Sequence, residues 1–355
     1  METEDLYKDA VSLLKKLIET PSFSKEEAKA AEIIRNFLQR KNVKIFGKGN
    51  NIWAYNSHFS PELPTVLLNS HHDTVKPNKS WILNPFKAEG KDGKLYGLGS
   101  NDAGGALVSL ISTFLFFHAA EKLKYNICIA ATAEEEISGT NGIESILPDL
   151  KNISFSIVGE PTQMHLAVAE KGLLVIDCVA YGKAGHAARN EGENAIYKSL
   201  KDIEWFRNYQ FPKISEMLGA VKMSVTIIQS GTQQHNVVPD RCEFTVDIRV
   251  TDSYTNEEIL TVIRQNVSSE IKPRSVRLKS SSINREHPIV KAGITLGRTI
   301  YGSPTTSDQA LMNFPSLKLG LGDSARSHMA DEYIFTDEIK EGINLYVEML
   351  SKVIL

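Results

Sequence analysis

Residues 65–75 read TVLLNSHHDTV, an apolar run from Thr65 to Leu68 that switches abruptly to polar and ionisable residues. A short run without polar interruption suits a strand buried on both faces, the kind found in parallel sheets. Open α/β sheets bind ligands beyond the carboxyl ends of such strands, so the switch marks a candidate site. Side chains alternate along a strand, which sends His71 and Asp73 to one face and His72 to the other. One histidine is therefore expected to serve the site. Asp73 is expected to accept from the second ring nitrogen of His71, fixing its tautomer and raising its basicity. His72 is expected to pack against or cap the loop. An H-x-D taken alone is weak, and a satisfied surface histidine is its default reading.

The surrounding pattern sets this strand in a fold. Helical periodicity at about 5–19 and 25–41 leads to strands at 51–55 and 65–69, a long helix at about 104–122, the strand NICIAAT, a helix near 139–147 and the strand FSIVGE. Strands alternating with helices predict an α/β domain, a mostly parallel sheet covered by helices on both faces. From about Lys171 the texture changes to GLLVIDCVAYG, a helix at 195–209, VKMSVTIIQSG, RCEFTVDIRV, a helix at 256–267 and SVRLKSS. That β-α-β-β-α-β order predicts a small ferredoxin-like α+β sandwich. A helix at 289–300, the strand SLKLGLG and a helix at 337–353 then resume the first texture. The expected domains are therefore 1–170 and 284–355 for the larger one, with 171–283 inserted.

The chain has 355 residues, 42% hydrophobic and 23% charged, enough to bury a large core and make two domains. Its net charge of −3 supplies no basic field for nucleic acid or an anionic membrane, so a small neutral-to-polar partner is expected. The N-terminal METEDLYKDAVSLLKKLIE is a charged amphipathic helix without an apolar leader core, and no later apolar run has the length to cross a bilayer. A cytoplasmic protein is the expectation. Cys128, Cys178 and Cys242 are scattered singly, without metal or disulfide spacing, and read as small buried hydrophobes.

Other carboxylates sit where predicted strands end. YGLGSNDAGG places Asp102 in a glycine-rich turn feeding the long helix, where a helix N-cap is as good a reading as a ligand. ATAEEEISGT stacks Glu134, Glu135 and Glu136 after an apolar strand, and their mutual repulsion calls for a compensating cation. IVGEPT brings Glu160 out of another strand, and DSARSHMADEYI supplies His328 in a loop after the late strand. One early His, one Asp, two Glu and a late His form an oxygen and imidazole set suited to zinc, manganese or cobalt. Such a set suits two metals about 3.5–4 Å apart that share a carboxylate.

The ordered string SHHDTV, GLGSNDAGG, TAEEE, GEPT, GKAGHAA, NVVP and SHMADEYI resembles the M20 family of dinuclear zinc amidohydrolases. It looks especially like its acetylornithine deacetylase and succinyl-diaminopimelate desuccinylase branch. The likeness spans nearly the whole chain and implies a zinc-exopeptidase-like fold. It implies that His71, Asp102 and Glu160 hold one divalent metal, and Asp102, Glu136 and His328 the other, with Zn, Co or Mn as the ions. Glu135 would be the general base and Asp73 the orienter of His71. The inserted segment would be the family's lid and dimerisation domain, making a homodimer in which His186 of YGKAGHAARN reaches the neighbouring subunit's site as an oxyanion donor. On spacing alone His186 reads as a surface-loop histidine. Two departures, the run Asp102-Ala103-Gly104-Gly105 and Glu134 where an Asp is usual, spare every ligand.

The implied chemistry is amide hydrolysis: Glu135 takes a proton from water and returns it to the leaving amine. There is no G-x-S-x-G to suggest a serine nucleophile. By resemblance, Arg249 and Asn236 grip a substrate carboxylate, with Thr306 and Ser307 at the same end; a surface salt bridge is the alternative for Arg249. The substrate class is an N-acyl amino acid of arginine or lysine biosynthesis. N-acetylornithine, N-acetylcitrulline or N-acetyllysine come first, succinyl-diaminopimelate second and a dipeptide third. An inert metal-binding relative is the other class, and the intact Glu135 argues against it.

Overall fold

The computed structural model describes residues 3–189 and 191–355. Its contacts divide the chain into two compact units. One runs to Val168 and resumes over Ser282–Tyr301 and Ser307–Leu355; the other holds Ala169–Ser281 and Gly302–Thr306.

The first unit is built on a nine-stranded sheet. Ile45–Lys48, Asn51–Tyr55, Asn126–Thr132, Thr65–His71, Ile153–Val158, Ser316–Lys318 and Leu166–Glu170 lie side by side in that order. The three middle pairings, from Asn126–Thr132 through to Ser316–Lys318, are parallel. The pairings toward Ile45–Lys48 and toward Leu166–Glu170 are antiparallel. Every residue of Thr65–His71 and of Asn126–Thr132 is buried, as a strand covered on both faces requires. Leu67 packs on one face with Trp53, Cys128, Ile143 and Ile146. On the other lies the helix Gly105–Phe117, buried at every residue but Phe116. Its Leu110 and Ala106, with Ser70, come so close to Gly159 that a Cβ at 159 would clash. Thr3–Ile18 and Thr336–Ile354 pack against this helix in turn. Fully burying each Val, Leu or Ile here contributes about 1.5–3 kcal/mol.

The second unit contains Gly172–Tyr181, the helix Ala195–Asn208, Lys222–Ser230, Arg241–Val250, the helix Asn256–Asn266 and Glu270–Pro273. Its sheet is antiparallel throughout, ordered Lys222–Ser230, Arg241–Val250, Gly172–Tyr181, Glu270–Pro273. Gly172–Tyr181 alternates buried and half-buried residues until the exposed Tyr181, so one face carries the core with Phe206, Phe244 and Ile263. Asn194 caps the first helix through the amides of Ile196 and Tyr197. Thr255 and Glu258 close a capping box on the second.

Several elements differ from the sequence expectation. The last strand of this unit is Glu270–Pro273, not 275–281; Leu278 is buried, yet its neighbours form a loop. The helix expected near 139–147 is only Ile143–Ile146, and Gly139 and Gly142 before it pass so close to Glu134 and Ala133 that a Cβ at either would clash. The helix expected to reach Ile300 stops at Thr295, where Gly297 takes a left-handed φ of 78°. The long helix expected to 122 ends at Phe117. Cys128, Cys178 and Cys242 are free and buried. Among the described residues, no helix is long and apolar enough to cross a membrane.

Candidate metal centre

The site gathers at the carboxyl ends of three adjacent parallel strands. His71 ends the central one, in register with Thr132 of its neighbour, after which the chain turns into Glu134, Glu135 and Glu136. On the other side Asn69 pairs with Val158, and Glu160 follows two residues later. Asp102 comes from the turn before Gly105–Phe117, and His328 from a loop after Ser316–Lys318.

The geometry centres on Asp102. One of its oxygens, Oδ1, lies 3.4 Å from His71 Nε2, and the other, Oδ2, lies 3.5 Å from His328 Nε2. His71 Nε2 is also 3.6 Å from Glu160 Oε1 and 4.0 Å from Glu135 Oε2, and His328 Nε2 is 3.0 Å from Glu136 Oε2. Two ligands about 2.0–2.2 Å from a tetrahedral ion stand roughly 3.3–3.6 Å apart, the spacing that Asp102 and Glu160 keep from His71.

The hydrogen bonding favours a cation in this space. His71 Nδ1 is 3.0 Å from the carbonyl of Asp73, which can only accept, so Nδ1 carries a proton. In the neutral ring, Nε2 then points a lone pair at three carboxylates. Both His71 Nε2 and Glu160 Oε1 are buried without a hydrogen-bond partner. Such atoms are costly to bury unless something charged joins them. Burial opposes a charge on His71, but Asp102 and Asp73 outweigh it and hold its pKa well above the ordinary value. Burial pushes Glu160 up to about 8, and the hydrogen bond that His328 donates to Glu136 lifts His328 to about 9. The residues present therefore fit a pair of divalent ions joined through Asp102.

Among the described residues, two sets of ligating atoms converge within 4.8 Å: His71, Asp102 and Glu136, and His71, Glu135 and Glu160. Glu135 is thus near enough to be a ligand itself, an alternative to its expected part as base. Burial, and next the charge of Glu160, push its carboxyl well above the usual range.

Asp73 does more than orient His71. The nearer acceptor for His71 Nδ1 is the Asp73 carbonyl, with the carboxylate at 3.5 Å. The carboxylate accepts from the backbone amides of Glu135 and Glu136, at 3.1 and 3.2 Å, and from Ser24 at 2.7 Å. It therefore pins the loop that carries both glutamates. Glu134 turns away, and its carboxylate takes the amide and side chain of Asn141. Backbone and amide donors, not a cation, compensate that member of the triplet. His72 is buried, with Nε2 at 3.0 Å from the carbonyl of Asn50.

Of the remaining predicted residues, His186, Asn236, Arg249 and Thr306 lie in the second unit, which brings two of them together. His186 pairs with Val237 in a two-stranded ladder, and the Ala187 amide donates to the Asn236 carbonyl. Arg249 makes a two-pronged contact with Asp247 through Nε and Nη2, at 2.8 and 3.0 Å. Thr306 Oγ1 donates to the Lys171 carbonyl, while Ser307 is buried in the first unit.

Sequence reading missed four residues at the centre. Asp308 is buried, accepts from Thr132 Oγ1 at 2.7 Å and is raised by burial to about 6. Ser24 holds Asp73, and Asn101 and Glu332 hold the Asp102 turn. Of these, only Glu332 and Asp308 carried a signal, an acid close to a site residue in SHMADEYI and TTSDQA.

The family model for peptidase family M20/M25/M40 matches residues 67–352. The chain belongs to that family. Succinyl-diaminopimelate desuccinylase of Wolbachia pipientis wMel is 25% identical to this M20 chain over 371 residues, covering 97% of it and 93% of the relative. Aminopeptidase PepT of Bacillus cereus ATCC 10987 superposes with a TM-score of 0.77 at 18% identity, covering 98% of both chains. The Bacillus subtilis YXEP protein, a dinuclear metal binding peptidase from the M20 family, superposes with a TM-score of 0.72 at 15% identity, again over 98% of both. The M20 chain is a metal-dependent amidohydrolase that uses divalent ions.

Strand alternation gives a direct expectation for the paired histidines. His71→Ala should lower the metal bound per M20 chain, whereas His72→Ala should leave it near wild type, read by elemental content after dialysis. Equal losses would refute the face argument.

Proposed function

We propose that this enzyme is an N-succinyl amino acid deacylase acting on succinyl-diaminopimelate or a near analogue. The desuccinylase relative, alignable over 97% of the chain, carries this reading. It favours the succinyl substrate over N-acetylornithine, the first expectation from sequence, and moves the setting from arginine to lysine biosynthesis in the cytoplasm. N-acetylornithine, N-acetylcitrulline and N-acetyllysine become the second reading and dipeptides the third.

His71, Asp102 and Glu160 would hold one ion and Asp102, Glu136 and His328 the other, with zinc first among Zn, Co and Mn. When bound, the ions supply Lewis acidity, acidifying a water and polarising the scissile carbonyl. Glu135 accepts the proton of the attacking water and delivers it to the departing amine, and the loop pinned by Asp73 holds it in place. His186 supports the developing oxyanion. Its Nδ1 accepts from the Ala188 amide at 3.1 Å, so in the neutral ring the proton sits on Nε2, the donor form this task needs. Arg249 and Asn236 would receive a substrate carboxylate, the former by its remaining Nη1 edge or by exchange with Asp247, and Thr306 and Ser307 would contact the same end of the substrate.

We also place a homodimer interface on the second unit. Tyr197 and Leu200 on one helix, and Ile227 and Ile228 on the edge strand Lys222–Ser230, are exposed large hydrophobic residues. An unpaired strand edge with apolar side chains invites a second copy.

The test is a panel of N-acetyl and N-succinyl ornithine, citrulline, lysine and diaminopimelate with the zinc-loaded enzyme. The highest kcat/KM should fall on N-succinyl-diaminopimelate. Preference for an acetyl compound would return the reading to the deacetylase branch, and no turnover of any would support the inert alternative.

A further inference from the structure

We propose that Glu332 is a positioning residue that sets the spacing between the two halves of the metal centre by tying the Asp102 turn to the loop of His328. The inference rests on the reading of Asp102 and His328 as ligands. Glu332 is 2% exposed and stands four residues after His328. Its Oε1 accepts from the amides of Asn101 and Asp102 at 2.8 and 2.9 Å, and its Oε2 from Gly99 at 3.1 Å. Its own carbonyl accepts from Gly97 at 3.0 Å. One buried residue thus takes four backbone amides from residues 97–102. The carboxylate does nothing else among the described hydrogen bonds.

A second tie runs in parallel. Asn101 Nδ2 donates to the Asp323 carbonyl at 3.0 Å and to Ser327 Oγ at 3.4 Å, and its Oδ1 accepts from the Asp323 amide at 3.1 Å. Asp102 and His328 are 226 residues apart in sequence and reach the site on irregular segments. Neither is placed by sheet register, as His71 is. The amides converging on Glu332 supply the missing constraint, and they need both oxygens as acceptors. A glutamine of the same shape would turn an NH2 group toward Gly99 or toward Asn101 and Asp102, setting donor against donor.

Outer residues that hold ligands in place commonly change metal affinity about 10–100-fold when altered. Glu332→Gln should therefore weaken binding of the second zinc equivalent by a factor in that range, read by titration against a chromophoric chelator. Saturating zinc should restore most of the turnover. Asp202→Asn is the structural control. That buried carboxylate also accepts backbone amides, from Ser268 and Ser269, but in the second unit. Its loss should lower Tm and leave the zinc titration unchanged. Should Glu332→Gln not fold, Asn101→Ala reads the parallel tie and should shift the same equivalent in the same direction. A Glu332→Gln titration that overlays wild type, or matches Asp202→Asn, overturns the proposal. So does an unfolded Glu332→Gln together with an unshifted Asn101→Ala. His328→Ala separates the two layers: if it keeps both equivalents, the ligand reading itself has failed.

Discussion

Glu135→Gln should lower turnover about 10²–10⁴-fold, the range for a lost general base, while the enzyme keeps both metal equivalents. The substitution preserves shape and removes only the capacity to take a proton. It should also preserve the loop, because Asp73 holds residue 135 by its backbone amide, at 3.1 Å, and not by its side chain. The retained metal is as informative as the lost rate. Glu135 lies within 4.0 Å of His71 Nε2, and an amide oxygen is a much poorer ligand than a carboxylate. If Glu135 were a ligand in place of Asp102, Glu135→Gln would lose zinc along with activity. Single-turnover rates and metal content measured on the same preparation distinguish the two, and near-normal turnover would refute both.

His186→Ala should cost about 10²–10³-fold in turnover, the usual loss on removing one oxyanion donor, with both metals and the proposed dimer retained. The residue is exposed, on a ladder of two residues per strand, so its removal should leave the fold intact. Action across a dimer predicts complementation. When His186→Ala and Glu135→Gln chains exchange subunits, the His186→Ala chain retains its own Glu135 and would receive the partner's His186. One site in each mixed dimer should then recover full activity. Demonstrated exchange without recovery would mean that His186 works in its own chain or outside catalysis, and the shared-site reading would fall.

How far each feature was legible in the sequence follows from where its information resides. Asn51–Tyr55 and Asn126–Thr132 were readable because the residues between their polar ends are apolar, and such a run leaves a signal in any single stretch. The faces of His71 and His72 followed from alternation alone: one meets the carboxylates, the other the Asn50 carbonyl. The ferredoxin-like order was legible from the succession of patterns, and its strand order of second, third, first and fourth is the observed one. Its last strand was not. Glu270–Pro273 alternates exposed and half-buried residues and ends in proline, so only its pairing with Gly172–Tyr181 makes it a strand. The same limit applies at the site. Individual acids showed themselves by following apolar strands, but the sequence assigned Asp73 to His71 and gave Glu332, an acid close to His328, no partner. Their main partners, the amides of Glu135, Glu136, Gly99, Asn101 and Asp102, lie 62–63 and 230–233 residues away. Backbone amides are the same at every non-proline residue, so composition and spacing carry no trace of which ones a carboxylate will meet. Residue type and periodicity thus determined the strands, their faces and the supply of candidate ligands. Only tertiary structure decided that Asp102 turns one oxygen to each histidine, because that depends on two distant irregular segments being held at one distance.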